Sequence, residues 1–106
     1  MLDQDHPARR ALEQLGERLR AARVRRKLRQ VDLAARIGCT RQRVATMERG
    51  SPATEIGMYA EALWAMGLLE QLDLVADPGL DRDAQALTFS VVDKRVRPRQ
   101  RLDNEF

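Results

Sequence analysis

Cysteine is nearly absent: Cys39 is the only one in 106 residues. It has no partner for a disulfide within the chain, and no zinc-type Cys/His spacing accompanies it, which fits a reduced compartment. Histidine is equally scarce, with His6 alone near the N-terminus. No metal site and no cofactor are expected. No apolar run approaches the roughly 20 residues that span a bilayer. The opening MLDQDHPARR lacks the apolar segment of a secretory leader. The expectation is a cytoplasmic, nucleoid-associated protein with no membrane partner. Paired carboxylates, a nucleophile beside a base and a phosphate-cradling glycine loop are all missing, so an enzyme is not expected. Aromatics number four, and Trp64, Phe89 and Phe106 each need a place to be buried.

Lysine is rare as well: 17 of the 19 basic residues are arginine. Guanidinium suits planar, two-point contacts to phosphate and guanine. A GC-rich genome produces the same bias, but it does not explain where the charges cluster. Residues 1–50 carry 13 Lys/Arg against 6 Asp/Glu, a net of +7. Residues 51–93 carry 1 against 8, a net of −7, and residues 94–106 carry 5 against 2, a net of +3. A basic N-terminal half is the footprint of phosphate binding. The acidic middle is suited to a partner or a second copy.

One domain is expected for this length. Residues 1–7 read as a flexible N-terminus, 8–76 as the folded domain and 77–106 as an extension with a basic tail. In residues 8–27, Leu12, Leu15, Leu19 and Ala22 recur on one helix face, with Arg18, Arg20, Arg25 and Lys27 opposite. Leu28 follows as a core anchor. A second helix spans about Gln30 to Ile37, with Leu33, Ala34 and Ile37 inward, Asp32 in its first turn and Gly38 ending it. Thr40 caps a third helix, with Val44 and Met47 buried and Gly50 as its stop. Thr54 is the expected cap of a fourth, with Ile56, Tyr59, Ala60, Leu63 and Met66 inward and Gly67 at its end. A fifth, Leu68 to Val75, runs to the Asp77-Pro78-Gly79 turn. Residues 86–92, ALTFSVV, have strand-like composition. A strand there could pair only with its counterpart in a second subunit, and a helix remains the alternative.

Residues 30–50, QVDLAARIGCTRQRVATMERG, therefore read as helix, tight turn, helix. The second of these opens on Arg41, Gln42 and Arg43, side chains whose donors and acceptors match base edges in the DNA major groove. In a helix-turn-helix the N-terminal end of that helix does the reading.

LGERLRAARVRRKLRQVDLAARIGCTRQRVATMERG, with AEALWAMGLLEQL after it, resembles the Xre, or lambda-repressor-like, helix-turn-helix domain. The landmarks are Leu19, Leu28, Gln30, Leu33, Ala34, Gly38, Thr40, Val44, Met47, Glu48, Arg49 and Gly50. The resemblance covers residue 12 to about 75 and implies an all-α, five-helix domain. A short domain of this kind followed by a Pro/Gly break and an Arg-rich tail also looks like HipB-type antitoxins. That likeness implies a homodimer that binds a palindromic operator in double-stranded DNA, represses its own operon and binds a HipA-like Ser/Thr kinase toxin. Two other readings stay open: a free-standing Xre regulator without a toxin, and a protein-interaction module with a vestigial helix-turn-helix. The chain departs from the pattern at Arg29, where a Ser or Thr cap is usual, and at Trp64, which replaces a polar surface residue.

The expected base readers are Arg41, Gln42, Arg43 and Thr46, with phosphate as the alternative for Arg43. A solvated helix face is the plainer reading of the same residues. Gln30, Thr40, Arg25, Arg26 and Lys27 are the expected phosphate contacts, with Arg23 in the same basic cluster. Glu48 is expected to be paired inside the domain, Cys39 to be core, and His6 to have no role. The expected partner or dimer surface is Trp64, Leu68, Phe89, Arg95, Arg97 and Phe106, beside the acidic Glu61, Glu70 and Asp73. Trp64 can equally fold onto the chain's own C-terminal segment.

Overall fold

The computed structural model describes residues 2–83. His6 opens the first helix: its Nδ1 accepts the Ala8 N–H at 3.0 Å. Pro7 follows at a position where the missing N–H costs nothing. His6 therefore has a role after all, as the cap of α1, Pro7–Arg25. The helix stops two residues short of the expected Lys27. Its end closes with Lys27 N–H on Val24 O at 2.9 Å and Leu28 N–H on Arg23 O at 3.2 Å. This closure needs one left-handed residue, and Lys27 supplies it with φ 58. Gly38, Gly50 and Gly67 take the same place at the ends of the next three helices.

α2 spans Gln30–Ile37. Arg29 does not weaken its start, because Asp32 reaches back. The Asp32 Oδ2 accepts the Arg29 backbone N–H at 2.7 Å, and the carboxylate also takes two guanidinium hydrogen bonds at 3.0 Å. Arg29's side chain and then its backbone N–H favour the charged form, which holds the Asp32 carboxyl at a pKa of about 2. α3 spans Arg41–Glu48 behind the Thr40 cap, whose Oγ accepts the Arg43 N–H at 3.1 Å.

α4 spans Ile56–Ala65. Two expectations fail here. Glu55, not Thr54, stands at the cap position, and its side chain makes no capping hydrogen bond. Ile56 is 72% exposed, because the buried stripe runs through Met58, Tyr59, Ala62, Leu63 and Met66 and Ile56 lies at its margin on the first turn. The expected fifth α-helix is instead a 3-10 helix, Leu69–Leu74. Every described element is helical.

The core is formed by Leu19 and Ala22 of α1, Leu33 and Ala34 of α2, Val44 and Met47 of α3, and the α4 stripe. α2 packs on α3 and α4, and α1 packs on α3. The α1–α3 contact is close enough to require glycine on both sides. A Cβ on Gly16 would lie 2.4 Å from the Glu48 carbonyl oxygen, and one on Gly50 would lie 2.5 Å from the Glu13 Cα. The chain divides into two compact units, one ending at Leu72 and one beginning at Asp73. In the second, the Asp77 carboxylate accepts the Gly79 N–H at 3.0 Å at the start of a single 3-10 turn, Pro78–Leu80. The segment 86–92 and the residues Phe89, Arg95, Arg97 and Phe106 lie outside the described residues.

Candidate nucleic-acid interface

Beneath the third helix lies a buried ion pair. Arg23 of α1 and Glu48 of α3 are both almost fully buried. Arg23 Nε donates to Glu48 Oε2 at 2.7 Å, and Nη2 donates to Oε1 at 3.0 Å. Arg23 Nη1 also donates to the Leu28 carbonyl at 2.7 Å. The guanidinium thus ties the end of α1, the loop into α2 and the end of α3 together. Two-point geometry of this kind is the strong form of the carboxylate–arginine contact. Glu48 is paired inside the domain, as expected. Arg23 is removed from the basic surface cluster. Sequence spacing held a signal for it: Arg23 lies four residues after Leu19, on the apolar face of α1.

The network continues to the surface. Gln30 Nε2 donates to Glu48 Oε1 at 3.0 Å, and Gln30 Oε1 accepts from Arg41 Nη1 at 2.9 Å. The order of these two bonds fixes which end of the amide is nitrogen, since Glu48 can only accept and Arg41 can only donate. Arg41, the first residue of α3, is oriented through Gln30 by a buried carboxylate. Its Nε and Nη2 hydrogens are uncommitted among the described residues and remain able to make a two-point contact.

The Gln42 side chain is exposed and makes no side-chain hydrogen bond among the described residues. Arg43 is exposed, with Nη2 3.9 Å from Glu55 Oε1. Thr46 differs from these three. It is half-buried, and its Oγ accepts from Arg49 Nη2 at 3.2 Å. Arg41, Gln42 and Arg43 therefore share the open first turn of α3, and Thr46 sits one turn on, engaged with its own helix.

The expected phosphate contacts separate into two groups. Arg25 and Lys27 are exposed. Arg26 is committed within the fold: Nε donates to Met66 O at 3.0 Å and Nη1 to Ala22 O at 2.9 Å, pinning the end of α1 to the end of α4. Gln30 retains one amide hydrogen beyond its bond to Glu48. Thr40 keeps its hydroxyl hydrogen, because its oxygen acts as acceptor in the cap.

Away from α3, Trp64 is 65% exposed on α4. With Arg36 and Ala65 it lines an open groove of about 440 Å³. Leu68, expected at a partner surface, is half-buried and packs in part on the domain's own core. Cys39 is likewise half-buried against the core. No helix among the described residues is long and apolar enough to cross a membrane.

A family model described as a helix-turn-helix domain matches residues 14–72, more than half the chain. The match ends where the first compact unit ends. A search of curated proteins returns no match.

Proposed function

The chain belongs to the helix-turn-helix domain family, and from that premise we propose that it is a sequence-specific DNA-binding regulator whose α3 reads base edges in the major groove. One observation carries this reading. The exposed turn Arg41–Gln42–Arg43 sits on a buried ion pair that orients its first residue through Gln30. A side chain held in place before binding loses less entropy on contact. Arg41 and Arg43 suit guanine, and Gln42 suits adenine. Gln30 and Thr40, each beside a helix N-terminus, suit phosphate, and Arg25 and Lys27 add two exposed charges. Thr46 is a secondary reader, and Arg26 acts through the fold.

In its finer form the protein is a homodimeric repressor of a palindromic operator and the antitoxin of a HipA-like kinase. Support for this form comes from the sequence resemblance and from Trp64, a large apolar side chain left open where a protein partner would cover it. Capture of such a kinase by the full chain, lost in Trp64→Ala, separates this form from a free-standing regulator.

Selection of duplexes from a random library tests the central claim. The wild type should enrich a discrete sequence. Arg41→Ala or Gln42→Ala should each cost about 1–3 kcal/mol on that sequence and relax the preference at the contacted base. Equal affinity of the wild type for enriched and mixed duplexes would overturn DNA reading. An intact preference in the double variant would move the reading away from α3.

A further inference from the structure

Glu55 stands at the cap position of α4, and its side chain makes no capping hydrogen bond. Its Oε1 lies instead 3.9 Å from Arg43 Nη2, and both side chains are exposed. The two residues flank a cleft of about 280 Å³ between the Gly38–Cys39 turn and the start of α4, with Glu61 on the α4 side. No Lys or Arg occurs between Arg49 and Arg82, so nothing in the following segment of the chain neutralises these carboxylates. One edge of the reading turn is therefore acidic, and Arg43 stands on it.

Resting on the DNA-reading function, we propose that Glu55 is a specificity-determining residue that acts through Arg43. Arg43 has two kinds of target on DNA. A guanine edge is neutral and offers two acceptors, and a guanidinium has enough donors to serve it while still facing a carboxylate. A phosphate carries charge, and drawing one to Arg43 brings it up against Glu55. Glu55 thus opposes the sequence-independent use of Arg43 and leaves its base-reading use available. Phosphate contacts dominate binding to random DNA, so the carboxylate widens the gap between right and wrong sequences. It does so by penalising the wrong ones.

Fluorescence anisotropy at one fixed salt concentration tests this with two probes: the duplex enriched by the wild type from a random library, and a mixed-sequence duplex of equal length. Glu55→Gln should tighten binding to the mixed duplex by about two- to fivefold, the span expected of an exposed ion pair. The enriched duplex should gain less, so that the ratio between them falls. In an Arg43→Ala background the same change should have no effect on the ratio. Glu17→Gln on α1 removes the same charge elsewhere and should leave the ratio unchanged. Equal gains on both duplexes, a matching effect of Glu17→Gln, or a persistent effect without Arg43 would each overturn the proposal. So would an inert Glu55→Gln in a protein that still enriches a sequence, and that result would leave DNA reading intact. Failure of the wild type to enrich anything would instead overturn the reading on which the proposal rests.

Discussion

Two buried polar side chains of the domain have opposite balances. Glu48 is satisfied by Arg23 and Gln30, whereas the buried Tyr59 Oη has no hydrogen-bond partner among the described residues. Glu48→Ala strands the buried Arg23 guanidinium and should destabilise the fold by about 3–5 kcal/mol. That is a large share of the stability of so small a domain. Tyr59→Phe removes an unpaired hydroxyl and should be neutral or stabilising by up to about 1 kcal/mol. Urea unfolding followed by circular dichroism compares the two. A mild Glu48→Ala or a strongly destabilising Tyr59→Phe would contradict these assignments. The network also gives Glu48 a consequence beyond stability, since Gln30 and Arg41 are oriented through it.

At the scale of elements, the helix ends hold most of the departures from sequence expectation. α2 begins well without a Ser or Thr because Asp32, in its first turn, caps backward onto Arg29. The Asp32 pKa, at about 2, lies below the ordinary carboxylate value. A lowered folded pKa means that its contribution is full above the unfolded pKa of roughly 3.9. The contribution is lost as pH falls through about 2. The wild type should therefore exceed Asp32→Asn in urea midpoint at pH 6, and the difference should narrow steadily between pH 4 and pH 2. A constant difference across that range would show that the charge is not what caps the helix. The end of α1 is the converse case. Lys27 occupies a left-handed position that glycine fills at the ends of the other three α-helices, so its backbone carries strain there while its ammonium is presented at the surface.

At the scale of the molecule, charge separates along the chain, with a net of +7 in residues 1–50 and −7 in residues 51–93. Among the expected phosphate contacts, the exposed, uncommitted cations are Arg25 and Lys27. Two such charges in each subunit of a proposed dimer give a salt dependence of log affinity with a slope of about −3.6, at about −0.9 per phosphate neutralised. Arg25→Ala should weaken enriched and mixed duplexes alike and make the dimer's slope shallower by about 1.8. Arg26→Ala should behave differently: it removes bonds to Met66 O and Ala22 O, and its first effect should be on unfolding. Binding titrations from low to moderate salt read the slopes. An unchanged slope in Arg25→Ala would remove that residue from the phosphate set.

The sequence by itself determined the helical class, the positions of α2 and α3, the turn at Gly38 and the exposed Arg41–Gln42–Arg43 turn. These follow from local rules: apolar spacing, a cap at Thr40 and a left-handed stop, each acting within a few residues. Only the tertiary structure decided that Arg23 is an anchor, that Arg26 is held by Met66, and that Gly16 and Gly50 are contact points. It also decided that Gln30 links Glu48 to Arg41 and that Glu55 faces Arg43. Arginine reads the same in sequence whether it is solvated, ion-paired or bonded to a carbonyl. The outcome depends on which backbone or carboxylate the packing of distant helices brings within about 3 Å, and local sequence does not encode that distance.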